Sequence, residues 1–196
     1  MTVTGLLLAA GAGRRYGMPK ALVVQDGVPW LEHAVEALAG GGCDEVVVVL
    51  GADAERAEQR LGRTFPVPVL SVRAPGWQEG IGASLRAGLD VLGPRPAGCA
   101  LIHLVDLPDV TDRVVRRVLG AGGGPSTLAR ATYDGRPGHP VLAGRAHWDA
   151  LGAAAVGDEG GRRYLATAGA RSVECGDLAS GVDVDVAAPS GAVVRP

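Results

Sequence analysis

An apolar run near the N-terminus, Leu6-Leu7-Leu8-Ala9-Ala10, stops abruptly in Gly11-Ala12-Gly13-Arg14-Arg15-Tyr16-Gly17, and Pro19-Lys20 follows. A short, continuous apolar run bounded by glycine reads as a buried strand rather than a helix. Glycine at the end of such a strand leaves the backbone bare, so its N–H groups can approach a phosphate with no Cβ in the way. Arg14, Arg15 and Lys20 add positive charge at the same place. Strand, backbone cradle and cations together point to an anionic ligand of the nucleotide type.

Two familiar phosphate loops do not fit. The dinucleotide fingerprint G-x-G-x-x-G opens a helix inside its glycines. Here Tyr16 stands where the third glycine belongs, Gly17 comes one position late, and Pro19 interrupts the helix that should follow. The P-loop needs four residues between its glycines and then Gly-Lys-Ser/Thr, which is also missing. The pattern present is L-A-A-G-x-G-x-R-x-G-x-x-K.

A chain of 196 residues can bury a large core and is expected to form one domain over residues 1–196. It is 47% hydrophobic and 20% charged, an ordinary globular composition. The net charge of −2 offers no electrostatic reason to expect nucleic acid or an anionic membrane as partner. Cys43, Cys99 and Cys175 are scattered, without C-x-x-C spacing, which argues against a disulfide framework or zinc site and suits a reducing cytoplasm. No signal-peptide pattern and no apolar stretch of membrane-spanning length are evident.

The remaining pattern alternates. Helical spacing is expected over Leu31–Leu38, Asp53–Leu61 (with Asp53 as N-cap), Ser84–Leu92 and Thr111–Leu119, with weaker helical segments at Ala146–Leu151 and Gly161–Ala168. Strands are expected at Glu45–Leu50, Val67–Val72, Cys99–Val105, Thr127–Thr132, Pro140–Ala143, Arg171–Glu174 and Val182–Val186. Strands alternating with helices predict a three-layer α/β/α sandwich of Rossmann-like type, built on a mixed, mainly parallel sheet.

Candidate chemistry concentrates where such strands end, because ligands of open α/β sheets bind outside the carboxyl ends of the strands. Asp106 follows the strand CALIHLV, facing the same crevice as the glycine loop. Phosphoryl chemistry needs a hard cation, and Mg²⁺ takes one or two carboxylates plus phosphate oxygens; Asp106 is the first candidate ligand. Asp109 reads as a turn or cap residue. Asp183 and Asp185 would share one face of a strand, a like-charge pair that a cation relieves; Asp185 is preferred. Gly80, Gly82 and Ser84 precede a helix, an arrangement suited to an anion or ribose, and Trp77 beside them reads as a packing residue. His139, between glycine and proline in Gly135-Arg136-Pro137-Gly138-His139-Pro140, is placed in a stiff turn, where it either moves a proton or contacts substrate without doing so; the second reading is preferred. Arg162, after Gly157-Asp158-Glu159-Gly160-Gly161, stands either near an anionic acceptor or on a capped helix start. His103 is expected to be a hydrogen-bonded core histidine.

In order, the segments LAAGAGRRYGMPKAL, GWQEGIGASLRAGL, LVDLPDV, GRPGHPVL, GDEGGRR and VDVDVAAP resemble the MobA-like nucleotidyltransferases, closest to the molybdenum-cofactor cytidylyltransferase branch. The resemblance implies a nucleotide-diphospho-sugar transferase-like fold. It implies Mg²⁺-dependent transfer of a nucleoside monophosphate from an NTP to a phosphorylated acceptor, with CTP as donor and a pterin cofactor as acceptor. A molybdoenzyme or chaperone becomes a candidate protein partner. By position, Leu8, Ala9, Ala10, Gly11 and Gly13 would hold base and phosphates, with Gly80 and Ser84 near the nucleoside. Arg14 and Lys20 would neutralise the triphosphate, and Asp106 and Asp185 would bind the metal. Leu8-Ala9-Ala10-Gly11 resembles cytidylyl-type members, whereas guanylyl-type members carry a second glycine there. Val186-Ala187-Ala188-Pro189 departs from the Thr-Pro-Glu-Asp usual after the last aspartate. The competing reading is an NAD(P)H-dependent oxidoreductase on the same fold.

Overall fold

A computed structural model describes residues 2–185. The run after Thr2 becomes β1 (Val3–Ala9), and two tiny antiparallel strands, β2 (Val24–Gln25) and β3 (Val28–Pro29), form a tongue before α1 (Trp30–Gly41). Then come β4 (Glu45–Leu50), α2 (Ala54–Arg60), β5 (Val69–Arg73), α3 (Ile81–Leu92), β6 (Cys99–Leu104) and α4 (Asp112–Leu119). The second part holds β7 (Leu128–Tyr133), β8 (Arg136–Gly144), α5 (Trp148–Ala154), α6 (Arg162–Thr167) and β9 (Arg171–Glu174).

Seven strands form one sheet in the order β5-β4-β1-β6-β8-β7-β9. β1 pairs parallel with β4 and β6, β4 with β5, and β7 with β9; β8 alone runs against its neighbours β6 and β7. The sheet is therefore mixed and mainly parallel, and helices cover both faces. On one face Leu7 and Ala9 of β1 meet Leu31, Val35 and Leu38 of α1 and Val114, Val115 and Val118 of α4. On the other, Leu6 and Leu8 meet Leu85, Leu89 and Leu92 of α3, Leu151 of α5 and Leu165 of α6. The two lists alternate along β1 because successive side chains of a strand point to opposite faces. Central strands buried on both sides read as unbroken apolar runs, as EVVVVL does.

Several local expectations are corrected. Asp53 stands at the N-cap position of α2 as expected, but at φ +53° its side chain makes no capping hydrogen bond and its carboxylate instead takes Arg56 Nη1 at 2.8 Å. Residues 182–185 do not form a strand, and Val186 lies outside the described residues. His139 stands inside β8 rather than in a turn. The chain reverses earlier, at Asp134-Gly135, where both residues have positive φ as a two-residue hairpin turn requires. Glu174 secures that turn, accepting hydrogen bonds from Thr132 Oγ1, the Asp134 and Gly135 amides and the Gly176 amide.

His103 is fully buried in β6, but neither ring nitrogen has a hydrogen-bond partner among the described residues. The backbone groups of neighbouring strands are committed to the sheet and do not serve the ring.

Candidate functional site

The carboxyl ends of β1 and β6 lie side by side, so the loops that follow them share one crevice. After β1 the chain turns tightly: the Gly17 amide donates to the Gly13 carbonyl at 2.8 Å. Gly13 has φ +58°, and a Cβ there would lie 2.0 Å from the Met18 carbonyl oxygen. Only glycine lets this loop close. Pro19 then leads into a single 3-10 turn, Lys20–Leu22, whose apolar residues Ala21 and Leu22 are buried. That anchor fixes the stem from which the Lys20 side chain projects.

Lys20 Nζ lies 2.8 Å from Asp106 Oδ2 and 2.7 Å from Asp185 Oδ1. Arg15 Nη2 holds the other Asp185 oxygen at 2.8 Å. The Lys20 and Asp106 side chains are only 14% and 20% exposed, so their pairing is partly shielded from solvent screening. Burial alone would lower the Lys20 pKa, but the hydrogen bonds and charges of Asp106 and Asp185 outweigh it and raise it. Reciprocally, the Lys20 hydrogen bond and charge, with help from Arg15, hold the Asp185 carboxyl below its ordinary value despite an opposing desolvation.

Asp185 and Asp183 come from an irregular segment tied back onto the β6 loop. The Val184 amide donates to the Asp106 carbonyl at 3.0 Å. Asp109 Oδ2 accepts from the Ser180 amide at 2.7 Å, the Ser180 hydroxyl at 2.6 Å and the Gly181 amide at 3.3 Å. Asp109, expected to serve its own turn, in fact anchors a segment about 70 residues downstream. One oxygen each from Asp106, Asp183 and Asp185 lies within 4.8 Å of the others. Hard oxygen donors so clustered suit a divalent cation, and the ammonium already seated between two of them shows that the place favours positive charge.

The crevice has a volume of about 540 Å³. Leu8, Ala10, Gly11, Gly13, Arg14, Lys20, Gly80, Ser84, Asp106 and Asp185 all line it. Ala9 does not: it is on the opposite face of the pleat, packed against the α1 side of the core. Gly80 opens α3 at φ +116°, and a Cβ there would meet the Gly157 carbonyl carbon at 2.5 Å. It therefore lets the 157–158 turn close over the start of α3. The positive end of that helix dipole faces the crevice, as suits an anion. Trp77 packs against the core and lines the crevice too.

His139 and Arg162 line a second, adjoining cleft of about 600 Å³. Leu8, Ile81, Leu104, Asp158 and Asp183 border both spaces. Burial and the neighbouring Arg130 and Arg162 charges push the His139 pKa down to about 4, so its ring is neutral at physiological pH. Arg130, also in this cleft, was not anticipated; the signal available was a charged residue inside the strand LARATY.

A crevice at the carboxyl ends of parallel strands, with a glycine loop, a basic side chain and clustered carboxylates, fits the nucleotide-binding α/β class of protein. The chain matches the MobA-like NTP transferase domain over residues 5–173 and belongs to that family. It is 35% identical over 193 residues to nicotine blue oxidoreductase of Paenarthrobacter nicotinovorans, covering 93% of this chain and 92% of that one. It is 32% identical over 152 residues to molybdenum cofactor guanylyltransferase of Rhodobacter capsulatus, covering 76% and 67%. Among solved structures, a manganese complex of Rv0371C from Mycobacterium tuberculosis superposes with a TM-score of 0.68 at 26% identity, covering 94% of each chain. No helix among the described residues is long and apolar enough to cross a membrane.

Proposed function

We propose that this chain, acting as a single domain, transfers a nucleoside monophosphate from CTP to the phosphate of a pterin-type acceptor and releases pyrophosphate. The carrying observation is the meeting of Lys20 with Asp106 and Asp185 at the mouth of the glycine loop. An acceptor phosphate oxygen forms a bond to the α-phosphorus while the bond to the bridging α,β-oxygen breaks. Such chemistry needs positioning and charge neutralisation rather than a protein nucleophile. The backbone of Leu8 and of Ala10 to Gly13 cradles base and phosphates, and Arg14 and Lys20 offset the triphosphate charge. Gly80 and Ser84 lie by the nucleoside, and His139 and Arg162 face the acceptor. Asp106 and Asp185 would hold Mg²⁺, which when bound neutralises phosphate charge as the leaving group departs; Asp183 is the third carboxylate available. The Leu8-Ala9-Ala10-Gly11 pattern supports CTP over GTP. The manganese bound by a structural relative supports a divalent metal. The reaction belongs in the cytoplasm, where a molybdoenzyme or chaperone would receive the product.

A panel of the four NTPs with a pterin phosphate acceptor, assayed for pyrophosphate with and without Mg²⁺, tests this reading. Metal-dependent release with CTP is expected; equal release with all four, or none with any, contradicts it. A second reading, NAD(P)H-dependent reduction, is supported by the oxidoreductase aligned over nearly the whole chain. Tight NADPH binding without metal, together with no metal-dependent CTP binding, would favour it.

A further inference from the structure

The second cleft joins an apolar floor to a cation with no carboxylate within 4.0 Å among the described residues. Its floor includes Leu85, Ile102, Val141, Leu151 and Leu165. Arg130 rises beside this floor from β7. Its neighbours Ala129 and Ala131 face the α1 side of the sheet, so the pleat turns Arg130 towards the α3 side. The β7–β8 register shifts between Arg130 and Thr132, an irregularity of the kind that re-aims side chains near sites.

Some other arginines meet carboxylates, as in Arg63 with Glu32, Arg73 with Glu58 and Arg95 with Glu45, and exposed ones without such a partner are met by water. Arg130 and Arg162 have no carboxylate within 4.0 Å among the described residues, although Asp158 and Glu159 stand on the same cleft wall. Arg130 Nε is shielded from solvent and has no hydrogen-bond partner among the described residues. Among the described residues Nη2 donates to the Gly138 carbonyl alone, at 3.3 Å. A half-buried guanidinium stays charged, and leaving it unpaired is costly. Its planar fork matches an oxyanion in two-point fashion.

We infer that the second cleft binds a molecule with a flat or apolar body and an oxyanion, phosphate or carboxylate, which Arg130 grips from the buried side and Arg162 from the rim. This rests on the transferase reading in one respect: that molecule is the acceptor. The neutral His139 ring then serves as a hydrogen-bonding wall rather than a third cation.

The test is calorimetric titration with phenyl phosphate, benzoate and phenol, with and without a saturating non-hydrolysable CTP analogue and Mg²⁺. Wild-type protein should bind phenyl phosphate or benzoate, whichever more tightly naming the oxyanion, and should not bind phenol. Arg130→Gln and Arg162→Gln should each weaken that binding by about tenfold or more, with affinity for the CTP analogue unchanged within about twofold. Arg162 is exposed, so its variant carries the test should Arg130→Gln fail to fold. Equal affinity in wild type and variants, binding of phenol to the same degree, or displacement of phenyl phosphate by the nucleotide would overturn the inference. Failure of the CTP analogue to bind would count against the proposed function alone, because the arginine contrast is also measured without nucleotide.

Discussion

Lys20 Nζ lies 2.8 Å from Asp106 Oδ2, although the two residues are 86 positions apart. The same nitrogen bonds Asp185, 165 positions downstream. The contact joins the loop after β1 to the loop after β6 and brings both to the irregular segment after β9.

Replacing Lys20 removes the cation at the centre of that contact. Lys20→Ala should cost roughly 2–4 kcal/mol of transition-state stabilisation, in line with other electrostatic stabilisers. The measurement is kcat/KM for pyrophosphate release at saturating metal. An unchanged value would remove Lys20 from the reaction.

The carboxylates should differ in their effect on metal affinity. Asp185 turns both oxygens to the place where the site gathers positive charge, shown by its contacts with Lys20 and Arg15, whereas the more exposed Asp183 has no cation within 4.0 Å among the described residues. Asp185→Asn is expected to weaken Mn²⁺ binding, followed by electron paramagnetic resonance, more than Asp183→Asn does. The reverse order would make Asp183 the principal ligand beside Asp106.

Asp109 should act on the metal through position alone. Asp109→Ala strips the Ser180 and Gly181 donors of their acceptor, a loss worth about 1–3 kcal/mol. Half-maximal activity should then require more Mg²⁺, with KM for the nucleotide little changed. Asp109→Asn, which keeps an acceptor oxygen, should restore most of the metal response. Equal loss in both variants would argue for a direct role of the charge.

The buried His103 should make the fold acid-sensitive. Burial, with lesser effects from His139 and His33, pushes its pKa from 6.5 down to about 3. Between those values the unfolded chain binds more protons than the folded one, so stability falls as pH falls. From pH 7 to pH 4.5 this amounts to about 2–3 kcal/mol. His103→Leu should remove that share of the loss in urea unfolding followed at both pH values. An identical pH slope in the variant would show that other groups govern acid unfolding.

The layering was readable because strands covered on both faces are dominated by apolar residues, as residues 46–50 and Cys99–Leu104 are, His103 excepted. The glycine loop was readable because its spacing excludes other phosphate loops. What escaped depends on geometry beyond local pattern. Gly138-His139-Pro140 has the composition of a turn but lies in β8, because Asp134-Gly135 had already reversed the chain. Ala9 belongs to the recognised motif yet faces away from the crevice, a consequence of the pleat. Asp109 and Arg130 take their significance from partners, or the lack of them, that only tertiary contact defines.

The wall shared by the two clefts has a consequence for specificity. Leu8, Ile81, Leu104, Asp158 and Asp183 touch both spaces, so changes there should alter donor and acceptor preference together and give non-additive double mutants. Trp77 borders only the first space and Arg130 only the second. Divergence towards a new acceptor with the old donor retained would therefore run through positions such as Arg130, leaving the partition itself intact.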